Sequence, residues 1–153
     1  MDVGGHDAHN TQRLAITAAR PGRIVTDFPI AQENVNRAST LHGGMISTLV
    51  DSVGSLSVAS YGWFNTGIST DLNVTFVRPG GLAGGTVQAT GEVISMGKTL
   101  AYTRVELRDP ENGKLLAYGS HTKYVRMASG SPENITFDAR GEHVESGALP
   151  EDA

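Results

Sequence analysis

The chain of 153 residues contains no cysteine. This absence excludes disulfides, thiolate metal sites and a cysteine nucleophile. An excess of positive charge is also lacking, since 12 lysines and arginines stand against 16 aspartates and glutamates, for a formal net charge of -4. We therefore expect no nucleic-acid partner, because the chain has no extended basic surface for phosphates.

Long apolar runs are missing as well. None reaches the roughly 18 residues that a membrane-spanning helix requires, and the opening MDVGGHDAHNTQ lacks the basic and apolar regions of a secretory signal. We expect no membrane insertion and a cytoplasmic location. The stretch 13–23 carries arginines and no acidic residue, so mitochondrial targeting is the alternative.

The length fits one domain with loose ends. We assign residues 1–20 to an N-terminal extension, 21–127 to the folded domain and 128–153 to a polar C-terminal tail. After Val125 the sequence is acidic and contains many glycines, serines and prolines, which predicts little buried surface. Ile135 and Phe137 are the tail residues that could dock locally.

Hydrophobic periodicity predicts one helix and several strands. Between Gly43 and Tyr61 apolar residues recur at spacings of three and four, which indicates a helix. Alternating apolar and polar residues predict strands at Ile24–Phe28, Ile68–Val77, Thr86–Ser95, Thr99–Arg108 and Leu115–Val125. This order is typical of an α+β fold, with an antiparallel sheet around one long central helix. One helix cannot cover every strand, so we expect at least a homodimer.

The start of this helix is the sharpest chemical feature. Gly43 and Gly44 let a ligand approach backbone N–H groups and the positive end of the helix dipole, an arrangement that resembles an oxyanion hole. They could equally serve only a tight helix entry. Asp51 interrupts the apolar stripe on the same face as Gly44. It either activates water or attacks directly, or it is simply solvated or bonded to a neighbouring strand.

Histidines and serines offer weaker candidates. His42 could be a general base, but a residue just before a helix commonly bonds the local backbone, and we favour a structural role. Ser69 has no nucleophile-elbow context, which argues against covalent serine catalysis. We expect no metal site, because the other histidines are scattered without ligand spacing: His6, His9, His121 and His143.

Three polar segments place a cation beside backbone donors or hydroxyls, a combination that can hold phosphates. They are the turns 78–81 and 96–99 and the strand end 121–123. Each could also be an ordinary solvated turn. Together they are compatible with a nucleotide-bearing ligand.

Four segments, NRASTLHGGMISTLVD, GISTDLNVTFVRPG, GKTLAYTRVEL and GKLLAYGSHTKYV, resemble the hotdog-fold thioesterases of the phenylacetate-degradation type. The resemblance runs from about Ile24 to Val125. It implies hydrolysis of acyl-CoA to free acid and coenzyme A in fatty acid metabolism. No separate cofactor is implied, because coenzyme A is part of the substrate. It further implies a homodimer, assembled into a homotetramer as a dimer of dimers.

The same resemblance implies residue roles. The Gly43 amide polarises the thioester carbonyl, Asp51 activates water or attacks, Asn36 positions the thioester and water, and Ser69 orients the nucleophile. These sites lie between subunits, so Gly43 and Asp51 come from different chains. The substrate-binding residues implied are His42, Gly44, Phe76, Val77, Arg78, Pro79, Gly80, Gly81, Ile94, Ser95, Met96, Gly97, Lys98, Thr99 and Lys123.

Two alternatives use the same fold. A hydratase or dehydratase would need His42 as a base on the acyl chain, with an acidic partner. A non-catalytic sensor would bind acyl-CoA without turnover. The sequence does not give the acyl length, which we expect to depend on residues from Leu56 to Trp63 and on a neighbouring subunit.

Overall fold

The structure, a computed structural model, describes residues 5–147. The ends of the predicted extension and tail, residues 1–4 and 148–153, lie outside the described residues. The α-helices are α1 (His6–Asn10) and α2 (Gly43–Ala59), and short 3-10 helices cover Gln32–Asn34 and Ala128–Gly130. The strands are β1 (Ala15–Arg20), β2 (Arg23–Pro29), β3 (Ile68–Phe76), β4 (Thr86–Met96), β5 (Leu100–Arg108), β6 (Leu115–Tyr124), β7 (Thr136–Phe137) and β8 (Val144–Ser146).

Six of the strands form one sheet in the order β1-β2-β4-β5-β6-β3. Every neighbouring pair in it is antiparallel, and α2 packs against β2, β3, β4, β5 and β6. The predicted α+β arrangement of an antiparallel sheet around one long central helix is confirmed. Within residues 5–147, no helix combines the length and the apolar character needed to cross a membrane.

Strand β1 lies inside the stretch 1–20 that we expected to be an extension. It pairs with β2 from Ala15↔Asp27 to Arg20↔Arg23, and so belongs to the sheet. Its sequence AITAAR is rich in alanine and every residue in it is exposed. The alternation of apolar and polar residues that predicted the other strands is therefore absent from it.

Part of the predicted tail folds back on the domain. The Ile135 amide donates to the Gly62 carbonyl at 2.9 Å, and the Phe64 amide donates to Asn134 Oδ1 at 3.0 Å. Beyond them β7 and β8 pair as a small hairpin. Ile135 and Phe137, the two residues expected to dock, are both half-buried.

The core lies where α2 meets the middle of the sheet. Leu49, Val50 and Val53 of the helix are fully buried. Two sheet glycines allow this approach: a Cβ on Gly91 would lie 2.7 Å from the Val53 carbonyl oxygen, and one on Gly119 would lie 2.8 Å from a Val50 methyl carbon. Because α2 is rich in serine and glycine, which form helices poorly, this packing holds it in place.

Gly91→Ala should therefore destabilise the protein by about 1–3 kcal/mol, since the added methyl group overpacks the contact with the Val53 backbone. Urea unfolding monitored by circular dichroism measures the change. Gly130→Ala is the matched control, because a Cβ there meets no atom within 4 Å. Equal midpoints for the two variants would contradict this account of the helix–sheet contact.

Candidate active site

Three polar side chains from three different elements meet beside α2. Ser69, at the start of β3, donates from Oγ to Asp51 Oδ1 of the helix at 3.0 Å. His121 of β6 places Nε2 2.8 Å from Ser69 Oγ and 3.0 Å from Asp51 Oδ1. The Asp51 side chain is 40% exposed whereas that of His121 is fully buried. The accessible carboxylate of Asp51 is thus contacted by a hydroxyl and by a buried imidazole.

A β-bulge lies next to Ser69. Ser69 pairs with Lys123 and Asp71 pairs with Thr122, so Thr70 is an extra residue in β3. Bulges bend a strand and change the direction of nearby side chains. Beside this bulge, the hydroxyl of Ser69 points from the edge strand β3 toward the helix α2.

The imidazole of His121 is neutral at physiological pH. Burial lowers its pKa below 6.5, while the nearby Asp51 carboxylate acts in the opposite direction and Lys123 adds to the lowering. Burial removes water from the ring and disfavours its charged form, and the Asp51 carboxylate offsets this effect only in part. The contact between His121 and Asp51 is therefore a close approach of a neutral ring to a carboxylate, with 3.0 Å between Nε2 and Oδ1.

The network also fixes which ring nitrogen of His121 carries the proton. The single hydroxyl hydrogen of Ser69 is donated to Asp51, so Nε2 must be the donor in its hydrogen bond with Ser69 Oγ. Nδ1 then bears a lone pair. It has no partner among the described residues and faces Gly54, where a Cβ would lie only 2.8 Å from it. The opposite tautomer would bury an N–H without an acceptor.

Lys123 lies next to this cluster on the inner face of β6. It is 4% exposed, and its Nζ donates to Ser55 Oγ of α2 at 2.8 Å. Burial lowers its pKa, and the Asp51 carboxylate opposes that effect. The cation is therefore a neighbour of the carboxylate inside the domain, and its contact with coenzyme A stays a prediction.

The start of α2 forms a second polar region. His42 Nδ1 accepts a hydrogen bond from the Gly44 amide at 2.9 Å and caps the helix, as the favoured structural role for His42 requires. Within residues 5–147 the Gly43 amide has no acceptor. The Phe76 ring is 3.4 Å from where a Gly43 Cβ would lie, so the end of β3 borders this amide.

Asn36 lies in the turn before the helix. Its Oδ1 accepts from the Ala38 amide at 2.9 Å, and its Nδ2 donates to Thr40 Oγ1 at 3.0 Å. The side chain is half-buried and holds this turn together. Its predicted part in positioning thioester and water remains a prediction.

Gly43 and Asp51 are separated by the helix that carries both. Eight residues at 1.5 Å per residue put them roughly 12 Å apart along the axis. Strand β3 borders both regions, and the seven residue steps from Ser69 to Phe76 span about 23 Å. One chain therefore presents an amide half-site, at Gly43 and Phe76, and a carboxylate half-site, at Asp51, Ser69 and His121.

The predicted substrate-binding turns divide between these half-sites. The turn 78–81 lies at the amide half-site, where the Gly81 carbonyl accepts from the Leu41 amide just before α2. There Arg78 is exposed and donates to the Leu115 carbonyl. The segment 94–99 lies at the carboxylate half-site, because Met96 pairs with Ala101, which pairs with Lys123.

Comparison with known proteins identifies the family. A model of the thioesterase superfamily matches residues 38–116. The chain belongs to the thioesterase superfamily. Human acyl-coenzyme A thioesterase 13 is 35% identical over 103 residues, 67% of this chain and 73% of the relative. A putative esterase of Schizosaccharomyces pombe is 37% identical over 112 residues, 73% of this chain and 70% of the relative.

Solved structures of other proteins have the same fold. Zebrafish thioesterase superfamily member 2 superposes with a TM-score of 0.74 at 34% identity, covering 80% of this chain and 88% of that one. The PaaI protein of the Escherichia coli phenylacetic acid degradation operon gives 0.66 at 22% identity, covering 77% and 94%. The hotdog fold and the family resemblance expected from the sequence are confirmed.

His121 is the member of this candidate site that the sequence pattern does not reveal. In the sequence it is one of four scattered histidines without ligand spacing. The available signal was its position in β6, where burial alternates and His121 falls on the inward face with Gly119 and Lys123. A histidine and a lysine both facing a core indicate a buried polar cluster.

The neutral state of His121 predicts a pH dependence of stability. In the unfolded chain the ring takes up a proton near pH 6.5, whereas the folded pKa is lower. The unfolded state then binds more protons, so the free energy of unfolding should decrease as pH falls below about 6.5. His121→Gln, which can still donate to Ser69, should decrease less steeply.

Urea titrations between about pH 7.5 and pH 5 measure this difference. His9→Gln, at an exposed histidine of α1, is the control and should behave as the wild type. Parallel pH profiles for the wild type and His121→Gln would contradict a neutral buried imidazole.

Proposed function

We propose that this member of the thioesterase superfamily hydrolyses acyl-CoA thioesters to the free acid and coenzyme A. The observation that carries the proposal is the accessible carboxylate of Asp51, held by Ser69 and His121. The names of the relatives support it, since the human protein is an acyl-coenzyme A thioesterase. A hypothetical thioesterase protein of the same fold from Streptococcus pneumoniae was solved with coenzyme A, with a TM-score of 0.67.

In the proposed reaction Asp51 acts as general base. Ser69 donates to its Oδ1 and His121 Nε2 lies 3.0 Å from the same oxygen, which leaves Oδ2 for a water molecule. The carboxylate takes a proton from this water as its oxygen attacks the thioester carbonyl carbon. The carbonyl oxygen becomes negatively charged and accepts from the Gly43 amide. When the C–S bond breaks, the thiolate of coenzyme A leaves, and a thiolate needs little help from a general acid.

The two half-sites require a second chain. The distance of roughly 12 Å between Gly43 and Asp51 along α2 is too long for both to act on one carbonyl group. β3 is an edge strand of the sheet. Three of its large apolar side chains are well exposed, at 66% for Ile68, 42% for Leu72 and 55% for Phe76. Such an edge is suited to pairing with another strand.

We propose that β3 pairs with β3 of a second copy about a twofold axis. Antiparallel pairing brings the Ser69 end of one strand beside the Phe76 end of the other. The carboxylate half-site of one protomer then faces the amide half-site of its partner, which gives two complete sites per dimer. The homotetramer, as a dimer of these dimers, rests on the family resemblance.

We assign the phosphates of coenzyme A to the exposed turns at these sites. Arg78 and Lys98 are exposed cations in turns that carry glycine, and backbone N–H groups in such turns hold phosphate oxygens. The hydratase alternative lacks comparable support, because the His42 ring caps α2 and has no acidic partner among its contacts in residues 5–147.

Asp51→Asn should lower kcat for acyl-CoA hydrolysis by about 10²- to 10⁴-fold, because the amide cannot take the proton from water. The substitution keeps an oxygen that can accept from Ser69, so KM and thermal stability should change little. Release of free thiol from a panel of acyl-CoAs measures the rates. If wild type and variant hydrolyse the panel equally fast, Asp51 is not the base.

Complementation tests the shared site. Asp51→Asn and Gly43→Leu should each be inactive, the second because its side chain fills the oxyanion position. When the two are coexpressed, mixed dimers contain one intact site, and roughly a quarter of wild-type activity should return. Coexpression of Asp51→Asn with the Gly43→Leu/Asp51→Asn double variant is the control and should stay inactive. No recovery in the first mixture would show that both residues act within one chain.

A further inference from the structure

Lys123 carries a positive charge into the interior of the domain. The residue is only 4% exposed, and its neighbours across the sheet are Ser69 of β3 and Ala101 of β5. Within residues 5–147 its Nζ donates to Ser55 Oγ at 2.8 Å, and no carboxylate oxygen lies within 4.0 Å of it. A lysine is rarely buried without an ionic partner, so this charge requires an explanation.

The bond to Ser55 places the ammonium group beside the proposed base. Ser55 follows Asp51 by about one helical turn, roughly 6 Å along the axis, and lies on the same face of α2. Lys123 follows His121 by two residues, so both side chains point to the buried side of β6. The ammonium group therefore lies near the carboxylate and the imidazole, while its hydrogen bond goes to Ser55.

The titratable groups around this cluster come from four elements. They are Asp7 of α1, Asp51 of α2, Asp71 of β3, and His121 and Lys123 of β6. β5 adds no charge on this side, because its buried residues are alanine, threonine, valine and leucine. Burial lowers the pKa of Lys123, but the carboxylates of Asp51 and Asp7 oppose that effect. Since a lysine begins from a pKa near 10.4, the amine keeps its proton at physiological pH.

An added proton would disable the site in either of two places. On Asp51 it would remove the negative charge of the proposed base. On His121 Nδ1 it would create an imidazolium that neutralises the carboxylate. A nearby positive charge opposes both events, because it raises the free energy of every state that holds one more proton. This effect needs no contact, and in a poorly solvated interior it extends over several ångströms.

We propose that the charge of Lys123 sets the protonation state of the site, holding Asp51 ionised and His121 neutral over the same range of pH. Lys123 is then a positioning residue that acts through its charge. The inference rests on the function proposed above. It gives Lys123 a role different from the contact with coenzyme A that the family resemblance implies.

Two uncharged replacements test the role of the charge. Lys123→Met keeps the apolar stem of the side chain, whereas Lys123→Gln retains an N–H donor for Ser55. In both variants the acid limb of the kcat/KM profile for acyl-CoA hydrolysis should move to higher pH by about one unit, because the charge that opposed protonation is gone. Activity on the plateau above this limb should change far less.

Arg140→Met is the matched control, because it removes one positive charge at an exposed residue of the C-terminal segment. Its acid limb should coincide with that of the wild type. Three results overturn the proposal: a wild-type limb in Lys123→Gln, an equal loss of activity at every pH, or a higher KM for acyl-CoA with an unmoved limb. The last result would show that the lysine contacts coenzyme A instead.

Nuclear magnetic resonance provides a second readout that needs no turnover. The ring nitrogens of His121, assigned by their absence from the spectrum of His121→Gln, report the charge of the imidazole. In both Lys123 variants the ring should take up its proton at a higher pH than in the wild type, because Lys123 lowers the pKa of His121. If this titration is unchanged while Asp51→Asn still lowers kcat, the inference fails and the proposed function stands.

Discussion

The close approach of α2 to the sheet is the constraint on which the rest of the structure depends. Gly91 and Gly119 remove the side chains that would keep the helix away, and Val53 and Val50 occupy that space. Gly54 has the same role on the helix side, since a Cβ there would lie 2.8 Å from both His121 Nδ1 and Thr103 Oγ1. Because these three glycines have no side chains, the imidazole of His121 fits completely beneath the helix and still contacts Asp51.

The electrostatic character of the site follows from this burial. A charged imidazolium would neutralise Asp51, whereas the neutral ring donates to Ser69 and leaves the carboxylate its charge. Ser69 in turn donates to one carboxylate oxygen, and the other oxygen remains for a ligand. The buried Lys123, bonded to Ser55, supplies positive potential without occupying the carboxylate. The proposed base is thus oriented by groups that do not compete for its proton.

The sequence predicted those parts of the molecule that depend on local pattern. The spacing of apolar residues gave α2, and alternation gave β2 to β6. Gly43 and Asp51 stood out because a glycine pair at a helix start and a carboxylate in an apolar stripe are locally unusual. His121 did not stand out, because its significance depends on Ser69 and Asp51, which are distant along the chain and are joined to it only through sheet pairing.

Two further features were not accessible to pattern analysis. β1 is attached to β2 chiefly by backbone pairing, and its exposed alanines carry no periodic signal. The C-terminal segment docks through main-chain bonds and the Asn134 amide rather than through an apolar stripe, so its polar composition predicted little burial. In both cases backbone hydrogen bonds provide much of the attachment, and such bonds cannot be inferred from amino-acid composition.

The helix also fixes the distance and the angle between Gly43 and Asp51. Each residue of an α-helix adds 1.5 Å and a rotation of about 100°. Inserting or deleting one residue between them would turn Asp51 away from Ser69 and His121 while leaving the composition of the segment almost unchanged. Exposed or half-exposed side chains on the way, such as Ser47 and Thr48, are free to vary. Among descendants of this sequence the number of residues in the interval is therefore more constrained than their identity.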